Sequence, residues 1–365
     1  MPHPSVHALT QPDKVAYQMA ATSEAITYRE LDERSNQGAH LFRELGLEAG
    51  DHIALLMENR LVFMEICWAA QRSGLYYTPI SRYLTQGEIE YIVSDCGAKL
   101  VITSPKCAEQ IKNLVKSAAA PLFYMLDEPL SGFRSWDKEA RAQPVTPILD
   151  ESAGSDMLYS SGTTGRPKGV KTPIKTTAID AVSPLVQNVC GKLCGMGQDS
   201  IYLSPAPLYH AAPLRFNMAQ IALGGTSILM ESFDAEQFLR LIETHKVTHA
   251  QLVPTMFVRI LKLPEDVRLR YDLGSLRCAI HAAPLPGGCE SQDDRLVGPD
   301  PGRVLRGLGR QRLHLLQLQR MAGASWHRGT CCPRNGQDPR RERGGKAARS
   351  DRCRVFCRRA GVFLS

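Results

Sequence analysis

The apolar positions of the chain change period several times between Thr27 and Ser104, and each change predicts an element. Thr27 and Glu30 have the spacing of a capping box, with Leu31, Ala39, Phe42 and Leu45 forming one helical face behind it. A turn at Ala49-Gly50-Asp51 precedes a short apolar run over 52–57, which predicts a strand. Residues 60–72 then predict a second helix and 77–80 a strand. Thr85 with Glu88 caps a third helix that runs to Ser94, and 99–103 closes the unit as a strand. Strands alternating with helices predict a largely parallel sheet covered on both faces.

The alternation resumes in the second half of the body. Residues 201–204 and 226–230 predict strands around an apolar helix near 215–223, and Asp234 caps a helix whose face is Phe238, Leu241 and Ile242. Residues 247–253 and 276–280 follow as buried strands, whereas 117–146 is mixed and Pro-containing and predicts no regular element. After Ala283 the patterning stops. Arg, Gly, Pro and Gln dominate, Lys346 is the single lysine, and only 313–318 is Leu-rich. A stretch so poor in core-forming residues predicts disorder, which leaves residues 1–283 as the foldable body and 284–365 as a basic tail.

Charge sharpens that division. The chain of 365 residues carries a formal +7, which by itself suggests an acidic partner. Residues 1–283, however, hold 27 Lys+Arg against 30 Asp+Glu, while 284–365 hold 17 against 7. The body is slightly acidic at −3 and the basic excess of +10 lies in the tail. No apolar run reaches the length of a membrane span, and the first residues lack the pattern of a signal peptide, so the expected compartment is the cytoplasm. Eleven cysteines are too dilute for a disulfide scaffold. Cys190/Cys194 and Cys353/Cys357 lack the further ligands of a zinc site, and no metal ligand set is expected; the cysteines read as reduced structural thiols.

The segment that carries chemistry is Tyr159-Ser160-Ser161-Gly162-Thr163-Thr164-Gly165-Arg166-Pro167-Lys168-Gly169-Val170. Small residues with Gly162 and Gly165 let its backbone curl with N–H groups inward, and the hydroxyls of Ser160, Ser161, Thr163 and Thr164 and an ammonium add donors suited to phosphate oxygens. It is not a Walker A loop, because Arg166 and Pro167 separate Gly165 from Lys168. A polar hairpin turn is the alternative reading of such a string.

The string resembles the phosphate-binding signature of the adenylate-forming superfamily, which includes acyl-CoA synthetases, amino-acid adenylation domains and firefly-type luciferases. Within it the body is most similar to acyl-CoA ligases. Pro205-Ala206-Pro207-Leu208-Tyr209-His210-Ala211-Ala212-Pro213 resembles the segment whose histidine lies beside the bound carboxylate, and Ala279-Ile280-His281-Ala282-Ala283-Pro284 the small-residue segment along the adenine and acyl pocket. The resemblance implies the α/β N-terminal large domain of that fold, incomplete, with the C-terminal lid domain absent. It implies a carboxylic acid, Mg²⁺-ATP and coenzyme A as reactants, joined through an acyl-adenylate to give an acyl-CoA thioester. It also implies that Ser160, Ser161, Gly162, Thr163, Thr164, Gly165 and Lys168 hold phosphate, that Ala282 and Ala283 line the nucleotide, and that His210 and Lys168 are catalytic. Phe216 and Met218 near His210 suggest an apolar acid.

Family motifs expected after His281 are missing: an aromatic residue followed by Gly-x-Thr/Ser-Glu, an Asp for the ribose, and the lysine of the lid domain. Back-translation offers a reason. Reading codons 300–313 one nucleotide downstream permits I-L-G-E-Y-Y-A-G-S-E-G-N-G-F, which has the form of the missing motif, and codons 292–297 permit K-M-I-D-W-W. The tail is therefore expected to be out-of-frame translation from near Pro284, with activity impaired or lost. The rivals are a non-catalytic nucleotide-binding remnant and a nucleic-acid-binding arm made of Arg340, Arg341, Arg343, Arg349, Arg352, Arg354, Arg358 and Arg359. The arm lacks interleaved aromatics or a reading motif, so no specific nucleic-acid partner is expected.

Overall fold

The computed structural model describes residues 3–116, 121–160, 166–174, 178–180 and 185–280. The tail and its boundary at 283 lie outside them. The first half holds α1 (Pro4–Thr10), β1 (Val15–Met19), β2 (Ala25–Thr27), α2 (Tyr28–Glu44), β3 (His52–Leu56), α3 (Leu61–Arg72), β4 (Tyr76–Pro79), α4 (Gln86–Asp95) and β5 (Ala98–Thr103). A 3₁₀ turn (Pro105–Ile111) leads to α5 (Lys112–Val115), β6 (Leu122–Met125), β7 (Arg134–Ser135), α6 (Trp136–Arg141), β8 (Ser155–Ser160) and β9 (Lys168–Lys171). A π-helical segment (Leu185–Leu193) precedes β10 (Ile201–Ser204), α7 (Ala211–Ala222), β11 (Thr226–Leu229), α8 (Ala235–His245), β12 (His249–Gln251), α9 (Pro254–Leu261), α10 (Glu265–Arg268) and β13 (Cys278–Ile280).

Local sequence accounts for the boundaries. Thr27 N–H donates to Glu30 Oε2 at 2.8 Å and Glu30 N–H to Thr27 Oγ1 at 3.2 Å, so the capping box at the start of α2 is complete. Thr85 and Glu88 form the same box before α4, and Asp234 Oδ1 accepts from Gln237 N–H at 2.8 Å before α8. The segment near 185–193 follows a wider winding, with Cys194 N–H donating to Val189 O at 2.9 Å.

These elements make two sheets, where the alternating pattern predicts one. One has the order β13-β12-β10-β11-β1-β2, parallel except for the β1–β2 hairpin; the other has β7-β6-β5-β3-β4-β8-β9, parallel except for β8–β9. Side chains alternate across each strand. Ile53 and Leu55 of β3 thus join Tyr17, Ile26, Leu31, Phe42, Phe63, Leu214 and Ile221 in a shared core, so α2, α3 and α7 lie between the sheets. Ala54 and Leu56 point the other way, to a second cluster with Ile89 and Ile92 of α4. On the far face of the first sheet Leu203 and Ile228 pack on Phe238, Ile242 and Phe257 from α8 and α9. The strands predicted over 52–57, 99–103, 201–204, 226–230 and 276–280 are present, and the unassigned stretch 117–146 contributes β6, β7 and α6.

Burial of titratable groups makes the fold sensitive to acid. His249 on β12 has no solvent exposure; its ring nitrogens contact Thr248 Oγ1 at 2.8 Å and Cys194 O at 3.0 Å. A carbonyl only accepts, so Nε2 carries the proton of the neutral ring. Burial, reinforced by the Arg277 charge, pulls its pKa down to about 4. An unfolded imidazole titrates near 6.5, so below that pH the unfolded chain binds a proton that the folded chain refuses, and stability falls as pH falls. His249 is expected to remove about 2 kcal/mol of stability between pH 6.5 and about pH 5. Urea midpoints across that range measure it, and His249→Gln should flatten the slope; an unchanged slope would contradict the assignment.

Candidate active site

The Ser/Gly/Thr segment sits on the β8–β9 hairpin, with Ser160 paired opposite Lys168 at its mouth. The antiparallel pairing of β8 and β9 is that of the hairpin reading. Ser161, Gly162, Thr163, Thr164 and Gly165, the expected phosphate-holding residues between these two, lie outside the described residues. Both feet of the loop stand on α4. Tyr159 donates its hydroxyl to Asp95 Oδ2 at 2.5 Å, and the Arg166 guanidinium lies 5.0 Å from the centre of the Tyr91 ring. Burial and the Asp95 contact push the Tyr159 phenol well above its ordinary pKa, so it stays a neutral donor.

Next to Lys168 the backbone runs close under its neighbours. A Cβ on Gly169 would come within 2.5 Å of Met157 Cε and 2.9 Å of Tyr159 Cζ, so a larger residue there makes those two side chains shift. Lys168 itself is exposed and makes no ion pair with any described residue. An exposed ammonium at this position is a suitable partner for an anionic group.

His210 stands 42 residues after Lys168 in sequence and follows β10 of the other sheet. It is the N-cap of α7, in extended backbone with φ −89° and ψ 148°, and its side chain makes no cap hydrogen bond. The imidazole is therefore free of the role a helix-terminal residue would give it. Its ring packs on Tyr209 at 4.4 Å, and Tyr209 meets Tyr83 edge-on at 6.5 Å. Partial desolvation lowers its pKa below the usual imidazole value, which keeps the ring neutral near pH 7.

Two contacts absent from the sequence reading hold these parts together. Arg215 on α7 donates from Nε to Asp156 Oδ2 on β8 at 2.9 Å, tying the helix capped by His210 to the strand that enters the loop. Asn59, buried at the end of β3, donates to Ala206 O at 3.3 Å and Met230 O at 2.8 Å and accepts from Leu208 N–H at 2.9 Å. One amide thus fixes the Pro205 to Tyr209 stretch against both sheets. Arg60 is the N-cap of α3, and the Asn59 side chain turns to the other sheet. Asn59→Ala would leave three buried backbone groups without partners and is expected to cost about 2 kcal/mol. Urea unfolding reads the loss, and a change under roughly 0.5 kcal/mol would show that water or a backbone shift replaces the amide.

Not every expected residue gathers at the site. Phe216 stacks on Tyr202 at 6.3 Å beside the π-helical segment, whereas Met218 Sδ accepts from Tyr77 OH at 3.1 Å in the core between the sheets. Two positions apart on a helix are about 200° apart in direction, so the pair cannot line one pocket as the sequence suggested. β13 ends at Ile280, and His281, Ala282 and Ala283 lie outside the described residues. Among the described residues no three His, Cys, Asp or Glu side chains gather as a metal site, so none of them forms a Mg²⁺ cage. No helix among them is long and apolar enough to cross a membrane.

Comparison with known proteins agrees with this geometry. The sequence profile of the AMP-binding enzyme family matches residues 5–306. The chain is 32% identical over 271 residues to a feruloyl-CoA synthase of Amycolatopsis sp., covering 73% of this chain and 51% of the relative. It is 29% identical over 283 residues to the long-chain-fatty-acid–CoA ligase FadD13 of Mycobacterium tuberculosis, covering 76% and 54%. The chain therefore spans about half the length of the curated relatives it matches. Among solved structures, the inhibitor-bound N-terminal domain of FACL13 from M. tuberculosis superimposes with a TM-score of 0.64 at 25% identity, covering 81% of this chain and 73% of that one. ATP-bound MatB from Rhodopseudomonas palustris superimposes with a TM-score of 0.61 at 24% identity, covering 78% and 56%. This chain belongs to the AMP-binding enzyme family, and its body has the mixed α/β fold of the N-terminal domain of adenylate-forming enzymes.

Proposed function

We propose that the activity built into this body is ATP-dependent activation of a carboxylic acid to an acyl-adenylate, followed by transfer of the acyl group to the thiol of coenzyme A. The observation that carries the reading is the hairpin that opens between Ser160 and Lys168, footed on α4 and tied through Asp156 and Arg215 to the helix that His210 caps. In the first step a carboxylate oxygen attacks the α-phosphorus of ATP and pyrophosphate leaves. The protein provides no covalent nucleophile for this; it compensates charge and positions the partners. Lys168, with the hydroxyls and N–H groups of residues 160–165, holds the β- and γ-phosphates as their charge grows. Mg²⁺ arrives with the nucleotide and neutralises phosphate oxygens. His210, neutral and without a competing cap bond, faces the acid, and Ala282 and Ala283 flank the nucleotide.

The acid is apolar, aryl or fatty, a class to which the substrates named for the feruloyl-CoA and long-chain relatives belong. Its reactants are those of the cytoplasm, the compartment this reading assigns. The tail after residue 283 supplies neither the acidic residue for Mg²⁺ nor the lid lysine, so the chain as translated binds nucleotide and turns over poorly. ATP–pyrophosphate exchange with a panel of fatty and hydroxycinnamic acids tests the reading. Weak, acid-dependent exchange supports it; nucleotide binding with no exchange for any acid leaves the non-catalytic remnant, and no ATP binding at all overturns both.

A further inference from the structure

Three thiols meet where the π-helical segment reaches the first sheet. Cys190 lies inside that segment, Cys194 just past it, and Cys278 on the edge strand β13. Val189, Met196, Tyr202, Phe216, Leu223 and Ile280 surround them. The backbone holds the two ends in register: His249 Nε2 donates to Cys194 O at 3.0 Å, and His249 is the cross-strand partner of Cys278. The Cys194 and Cys278 side chains belong to this one apolar cluster, and neither is in a disulfide. No metal-binding group of three ligands is found among the described residues, so the cluster has no coordination role there to explain it.

We propose that Cys194 and Cys278 are a reversible thiol–disulfide clamp, oxidised by low-molecular-weight disulfides, that fastens the end of the π-helical segment to β13. The two sulfurs differ as such a pair requires. Cys194 is partly exposed, while Cys278 is only 3% exposed and Cys190 not at all. An external disulfide therefore reaches the partly exposed Cys194 sulfur first, and the buried Cys278 sulfur only through it. Cys194 is therefore the attacking thiolate and Cys278 the resolving thiol.

In the first step the Cys194 sulfur bonds to one sulfur of an external disulfide, whose S–S bond breaks and whose other half leaves as a thiolate that takes a proton from water. In the second, Cys278 gives up its proton and its sulfur attacks Cys194, expelling the remaining half. Two protein thiols are oxidised to one disulfide and the external disulfide is reduced to two thiols. The clamp fixes β13, which pairs with β12 and leads directly into residues 281–283.

The test treats the folded chain with oxidised glutathione at pH 7.5, blocks remaining thiols with N-ethylmaleimide and maps peptides by mass spectrometry. A Cys194–Cys278 cross-linked peptide that dithiothreitol removes is expected. Cys194→Ser should leave Cys278 reduced and free of glutathione, and Cys278→Ser should stop Cys194 at the glutathione adduct. Amide exchange at 278–280 in the oxidised unmutated chain should slow by about tenfold, a readout that does not depend on the variants folding. Persistence of Cys194 as a free thiol or terminal glutathione adduct in the unmutated chain, or pairing of Cys194 with Cys190 or a cysteine beyond residue 283, overturns the proposal. So does equal oxidation of Cys278 in Cys194→Ser.

Discussion

Restoring the reading frame near codon 284 is expected to raise acid-dependent ATP–pyrophosphate exchange by at least about 10³-fold over the chain as translated. The reasoning is electrostatic. Pyrophosphate departure concentrates negative charge on oxygens that the body meets with Lys168 and the loop alone, and one missing donor at such a site typically costs 10²–10³ in rate, about 3 to 4 kcal/mol. The downstream frame permits a Gly-Ser-Glu string in the form of the missing motif. Groups that act as a unit do not multiply independently, so the gain is bounded from below and is not a product. Lys168→Ala in the restored chain should take back about 10²-fold, because the other cations of the hairpin are engaged elsewhere, Arg166 on the Tyr91 ring and Lys171 with His52 Nε2 at 2.9 Å. The gene sequence gives the direct check: if no one-base change near codon 284 opens the alternative frame, or if the restored chain exchanges no faster, the tail has another origin.

Replacing Arg72 with methionine is expected to destabilise the body by about 3–5 kcal/mol. Arg72 closes α3 with no solvent exposure, and its guanidinium reaches in three directions. Nε donates to Glu151 Oε1 at 2.8 Å, one terminal nitrogen to Asp32 Oδ1 at 3.0 Å, and the other to Ser35 Oγ at 2.8 Å and Asp32 O at 3.0 Å. The network joins α2, α3 and the chain entering β8. Removing the cation leaves two facing carboxylates without their partner, which is the costly way to break a buried pair. Because Asp32 and Glu151 are near 20% exposed, water recovers some of that cost. Arg72→Lys should recover only a minority of the loss, since an ammonium cannot hold the three-way fork. Urea unfolding at pH 7 decides the matter: a loss under about 1 kcal/mol for Arg72→Met would mean that Asp32 and Glu151 rehydrate without penalty.

What could be read from the sequence depended on whether the signal was local. The capping boxes at Thr27 and Thr85 and the cap at Asp234 are contained within four residues, and each begins a helix where expected. The family was legible for the same reason: the residues that carry the resemblance over 159–170 are adjacent in the chain. The division into two sheets was not, because a buried parallel strand looks alike whichever sheet it enters. His52–Leu56 and Ile201–Ser204 have the same apolar character, and partner choice is decided by packing across α2, α3 and α7. Asn59 was missed because its hydrogen-bonding partners lie 147 to 171 residues away. Arg215 reads as one more charged residue on a helix until Asp156, 59 positions earlier, is found beside it. Phe216 and Met218 misled because proximity in sequence was taken for a shared direction.

The strand orders of the two sheets carry a consequence for how the chain folds as it is made. The sheet from β3 to β9 is drawn entirely from residues 52–171, so its contacts are complete when little more than that length has left the ribosome. The other sheet inserts β1, at residues 15–19, beside β11, at residues 226–229. Its first strand is synthesised early and then waits roughly 200 residues for its neighbour, a loop closure of high sequence separation. The Tyr17 and Ile26 side chains stay without their final packing during that interval, which makes the N-terminal hairpin the segment most in need of protection from aggregation during translation.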